Sequence, residues 1–109
     1  MSKIADIGEV LGRLSALIES RKGTDAASSY TAQLLQAGPE RCAKKFGEEA
    51  VEAAIAGAMN DQNALTEEAA DVLYHLLVLL AANDVALSDV AGALSAREGV
   101  SGHEEKASR

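Results

Sequence analysis

The sequence predicts an all-α fold, four to five helices in a bundle completed by dimerisation, and three observations carry that prediction. Apolar residues recur at three- and four-residue steps, and alternation of the strand kind is absent. The composition is 48% hydrophobic but only 3% aromatic, so alanine and leucine carry the apolar weight, which favours helix over sheet. The single proline, Pro39, falls between two periodic segments rather than inside one. Residues 1–109 read as one domain, near the size at which partners often help, with a polar tail at 99–109 that composition alone marks as flexible.

Each element has its own signal. Ile4, Ile7, Val10, Leu11, Leu14, Leu17 and Ile18 form one stripe of an amphipathic helix ending near Arg21. Lys22 to Ala27 reads as a loop, with Gly23 and Asp25 as turn residues. Ser28 or Ser29 is suited to cap a short helix through Tyr30, Leu34 and Leu35 that stops at Gly38. Pro39 suits the first turn of the next helix, where its missing N–H costs nothing, and that helix continues to about Met59. After the polar loop Asn60 to Asn63, another helix begins between Asn63 and Thr66 and runs to about Ala82. Asn83 and Asp84 break it, and Ser88 is suited to cap a last helix to about Glu98. The segment VLYHLLVLLAA (72–82) is apolar nearly all round, so it should be buried on most sides. One small chain has few helices with which to surround it, hence the expected homodimer.

The formal charge of -7 leaves no basic surplus to displace counterions, so a nucleic-acid partner is not expected. The one cysteine, Cys42, has no internal partner, which suits a reducing compartment and a packing role. Acids Asp6 and Glu9 interrupt the first apolar residues, unlike a secretory signal, and the longest apolar run, Leu76 to Ala82, is far short of the ~20 residues of a membrane span. A cytoplasmic protein with no membrane partner is the expectation.

The chemistry concentrates in GEEAVEA (47–53) and its partial echo TEEAADV (66–72). At ~100° per residue, Glu49 and Glu52 lie about 60° apart on one helix face, with Lys45 and Ala56 on the same strip. Glu68 and Asp71 repeat the geometry, and their strip continues through His75, Val78, Leu79 and Ala82, becoming apolar where a solvated face would stay polar. A solvated acidic face normally interleaves lysines four residues on, but neither Lys nor Arg occurs from Phe46 to Ala96. If the two helices pack antiparallel, the four carboxylates converge and must either take up protons or share a cation. Oxygen-only donors suit Mg²⁺, with Mn²⁺ as the alternative, and neither His75 nor His103 has zinc-like spacing. A carboxylate-held ion of this kind keeps open positions for phosphate oxygens, which points to phosphate-ester or pyrophosphate chemistry sooner than to metal storage and leaves room for a small-molecule nucleotide held through the metal. No Gly-rich Walker-type loop is present.

Glu49-x-x-Glu52 followed by Glu68-x-x-Asp71 resembles the metal motif of the all-α nucleoside-triphosphate pyrophosphohydrolases, the MazG-like superfamily. SYTAQLL (29–35), KKFGEEAVEA (44–53), EEAADVLYHLLVLL (67–80) and SGHEEKASR (101–109) narrow the resemblance to its phosphoribosyl-ATP pyrophosphatase family, over nearly the whole chain. The resemblance implies Mg²⁺-dependent hydrolysis of phosphoribosyl-ATP to phosphoribosyl-AMP and pyrophosphate, the second step of histidine biosynthesis. It implies that Glu49, Glu52, Glu68 and Asp71 hold the metal, and that Glu48 and Glu49 are the catalytic candidates, Glu48 as the base that positions water or as an acid behind the metal ligands. It further suggests that Lys106 and Arg109 fold over a site, including one on a neighbouring subunit.

The remaining candidates follow from the residues. Lys44 and Lys45 are candidates for substrate phosphates, Lys45 the better because it shares the acid strip. Tyr30 is a candidate for stacking on a base, although packing is the commoner role for it and for Tyr74. His75, one turn past Asp71, reads as a hydrogen-bonded interface residue sooner than as a ligand. The charge pattern alone also permits a housecleaning nucleoside-triphosphate pyrophosphohydrolase, or a non-enzymatic helical dimer that binds a cation.

Overall fold

The structure, a computed structural model, describes residues 4–99. It is all-α, with no strand among the described residues: α1 (Ile7–Ser20), a 3₁₀ turn (Ala26–Ser28), α2 (Tyr30–Ala37), α3 (Pro39–Ala58), α4 (Gln62–Ala82) and α5 (Leu87–Ala96). The boundaries follow from local chemistry more than from the apolar stripe. Asp6 caps α1 by accepting from the Glu9 N–H at 2.9 Å, so Ile4 falls outside the helix and stands 93% exposed. Ser29 caps α2 through the Ala32 N–H at 3.2 Å, while the Ser28 hydroxyl instead donates to the Asp25 carbonyl.

Between α3 and α4 only three residues intervene, and they close α3 with a Schellman pair. Asn60 turns left-handed at φ 56°, its N–H donates to the Gly57 carbonyl, and the Asp61 N–H donates to the Ala56 carbonyl. Asp61 then caps α4 through the Ala64 N–H at 3.0 Å. This cap starts α4 at Gln62, earlier than the apolar pattern predicted. So short a connection makes α3 and α4 antiparallel neighbours, and they form the most extensive helix pair among the described residues. The same device ends α4: Asp84 is left-handed at φ 56°, and Val85, whose N–H donates to the Leu80 carbonyl, turns the chain by 110° into α5. α5 has no side-chain cap; Ser88 lies inside it rather than before it.

α1 packs on α4, and α2 packs on both α3 and α4. Ile18, Leu34, Cys42, Leu77, Val78 and Ala81 form the buried cluster where these helices meet. Burying Ile18 or Val78 contributes roughly 1.5–3 kcal/mol each. Cys42 behaves as a packing residue: its Sγ donates to the Leu34 carbonyl at 3.3 Å, and burial pushes the thiol up, away from the reactive thiolate. Thr31 and Tyr74 share a hydrogen bond of 2.6 Å that ties α2 to α4. Lys22 pairs with Asp84 at 2.8 Å and Glu19 at 3.0 Å, an exposed arrangement that adds little stability.

The 72–82 segment is only partly covered. His75, Leu77, Val78 and Ala81 are buried, but Leu73, Leu76, Leu79 and Leu80 are half-buried, and no residue of α5 is buried. No single helix among the described residues is long and apolar enough to cross a membrane.

Candidate metal centre

The α3–α4 hairpin positions the acids. Its antiparallel arrangement sets Glu49 and Glu52 of α3 against Glu68 and Asp71 of α4. One carboxylate oxygen each from Glu49, Glu68 and Asp71 lies within 4.8 Å of the other two. Glu52 stands at the edge of this group, against Glu68. Glu49 and Glu68 are half-buried, while Asp71 and Glu52 open to solvent, so the group is accessible from one side.

The electrostatics are unbalanced. Burial lifts the Glu68 carboxyl above its ordinary value, and a hydrogen bond shared with Glu52 and the charges of Glu52, Glu49 and Asp71 push the same way. Its Oε2 is buried and has no hydrogen-bond partner. Lys45 is half-buried one turn before Glu49, but the acid it approaches is Glu48, at 3.8 Å. A divalent cation fits this arrangement on two counts: several convergent anionic oxygens with no cation among them, and an orphaned buried oxygen that needs one.

Glu48 stays outside the cluster, exposed and facing Lys45. Lys44 is exposed on the outer side of α3, and Tyr30 is 53% exposed at the start of α2. Lys106, Arg109 and His103 lie outside the described residues. His75, read from the strip as a hydrogen-bonded interface residue, follows Asp71 by one turn on α4. It is 6% exposed within this one chain, its Nδ1 lacks a partner, and Tyr74 meets it edge-on with ring centroids 5.0 Å apart. Burial pulls its imidazole below the ordinary value, while the Glu49 carboxylate pulls it up. The Thr31–Tyr74 bond, which steadies that ring contact, has no sequence signal, because its partners are far apart in the chain.

A cavity of about 470 Å³ lies elsewhere, between α1 and the turn from α4 into α5, with Ala16, Lys22, Leu77, Asp84 and Leu87 among its walls. None of the acids lines it, so its size says nothing about the chemistry of the hairpin.

Residues 11–98 match the family model described as phosphoribosyl-ATP pyrophosphohydrolase, a span that includes every acid of the cluster. The chain is 64% identical over 100 residues to the phosphoribosyl-ATP pyrophosphatase of Dinoroseobacter shibae, covering 92% of this chain and 98% of that one. It is 62% identical over 99 residues to the enzyme of that name from Jannaschia sp., covering 91% and 97% of the two chains. It is also 62% identical over 99 residues to the one from Paracoccus denitrificans, covering 91% and 92%. With the helical fold, the acid-bearing hairpin and a match of this extent in agreement, the chain belongs to the phosphoribosyl-ATP pyrophosphohydrolase family.

Proposed function

We propose that this chain hydrolyses phosphoribosyl-ATP to phosphoribosyl-AMP and pyrophosphate, the second step of histidine biosynthesis, as a cytoplasmic homodimer that requires Mg²⁺. The family and its named relatives support the reaction. The observation that carries the reading to a site is the convergence of Glu49, Glu68 and Asp71 within 4.8 Å.

Glu49, Glu52, Glu68 and Asp71 would hold the cation, with Mn²⁺ as the alternative to Mg²⁺. When bound, a divalent cation supplies positive charge for the phosphate oxygens and acidifies water near them. The chain's own residues do the rest. Glu68 would present its buried, unpartnered oxygen to that charge. Glu48, on the solvent side of Glu49, orients the attacking water. Lys45 turns from Glu48 to a substrate phosphate, with Lys44 beyond it. Tyr30 offers a ring for a base, and Lys106 and Arg109, outside the described residues, are the remaining candidates for substrate phosphates. Homodimer formation is supported by the apolar surface one chain leaves open: half-buried Leu73, Leu76 and Leu80 on α4, with Leu65 at 39% and Leu94 at 63% exposure.

The test is pyrophosphate release from phosphoribosyl-ATP, with ATP and dATP alongside, each with Mg²⁺ and with EDTA. Release from phosphoribosyl-ATP alone, abolished by EDTA, is the expected result. Release mainly from ATP or dATP makes the chain a housecleaning enzyme instead, and no release from any nucleotide leaves a helical cation-binding dimer.

A further inference from the structure

Two buried side-chain atoms among the described residues lack a hydrogen-bond partner, Glu68 Oε2 and His75 Nδ1. The first belongs to the acid cluster; the second has no part in the mechanism above. Leaving a buried polar atom unpaired destabilises the fold, so a leucine in place of His75 would be cheaper if packing were its only role. The ring's surroundings say where a partner arrives. His75 is four residues after Asp71 and seven after Glu68, on the same strip of α4. Helical side chains lean toward the helix N-terminus, which carries this ring toward the acids. Across the hairpin, Glu49 brings a carboxylate oxygen within 4.8 Å of one from Asp71, the residue one turn before His75, and its charge reaches the imidazole. The edge-on contact with Tyr74, at an interplanar angle of 76°, fixes the plane of the imidazole, and the bond from Tyr74 to Thr31 fixes Tyr74.

We propose that His75 is a positioning residue for Glu49: its Nδ1–H donates to the Glu49 carboxylate when a divalent cation fills the acid cluster, and holds that ligand in its binding orientation. The inference rests on the acids being a cation site. Carboxylates that bind metals are held by outer hydrogen bonds of this kind, and removing one costs about 10–100-fold in metal affinity.

The experiment is a titration of the full-length, nucleotide-free chain with Mn²⁺, following the free ion by electron paramagnetic resonance. The variants are His75→Leu, His75→Asn and His75→Gln, with helix content checked by circular dichroism. The Asn amide nitrogen stands where Nδ1 stands, and the Gln amide where Nε2 stands. His75→Asn should bind Mn²⁺ within about threefold of the wild type, while His75→Gln and His75→Leu should bind it roughly 10–100-fold more weakly. If the leucine variant does not fold, the Asn and Gln pair decides the matter. Equal affinity for those two, or wild-type affinity in His75→Leu, overturns the assignment. A wild-type chain that binds no Mn²⁺ removes the cation site itself, a different failure from a wild-type chain that binds while the variants do not differ.

Discussion

Glu49→Gln abolishes cation-dependent pyrophosphate release while the helices remain. The substitution keeps the size and shape of a half-buried side chain on α3 and removes one of the three charges that converge within 4.8 Å. Fewer repelling charges in the cation-free state leave folding intact or strengthen it. Losing an outer group behind a metal ligand costs about 10–100-fold in affinity or activity, so losing a ligand costs at least about 100-fold. The measurement is turnover of phosphoribosyl-ATP across a Mg²⁺ series, with circular dichroism beside it. Wild-type turnover in the variant would sink the metal assignment of Glu49.

The second large effect is on stability and runs through Glu68. Burial first, then the hydrogen bond shared with Glu52 and the charges of Glu52, Glu49 and Asp71, raise this carboxyl above its ordinary value. A group raised in the folded state stabilises the fold fully below its unfolded value, and that contribution is lost as pH rises through the folded value. In EDTA, therefore, Glu68 makes the chain weaker on going from acidic to neutral pH, and Glu68→Gln removes that part of the slope. At neutral pH without a cation the variant should melt above the wild type. Mg²⁺ should reverse the order, because it binds the ionised carboxylates of the wild type and so stabilises it by mass action. Thermal melts of both chains across pH, each with EDTA and with Mg²⁺, check this. The same pH slope in both chains, with no crossing on adding Mg²⁺, contradicts the role given to Glu68.

Helical periodicity made the fold class legible, because each helix shows a stripe or an all-apolar face that no strand pattern reproduces. Boundaries were less legible, since caps decide them. The stripe drew in Ile4, but Asp6 starts α1 after it, and Asp61 starts α4 at Gln62, before the apolar pattern begins. The acids were legible as two pairs because three-residue spacing puts each pair on one face. Their meeting depended on the tight link at Asn60, whose left-handed conformation the sequence suggests only weakly. Spacing also treated Glu52 as equal to Glu49, whereas the approach of the two helices leaves it beside Glu68 at the edge of the group. His75 was visible on the strip, but its burial within a single chain and its unpaired Nδ1 are properties of packing.

The central claim is that these carboxylates gather a divalent cation on the α3–α4 hairpin. Crystals grown with Mn²⁺ and measured at the manganese absorption edge test it most directly. The account predicts an anomalous peak between Glu49, Glu68 and Asp71, with Glu52 at its rim. A peak bound elsewhere, or none in crystals of chain that is active with Mn²⁺, would contradict it.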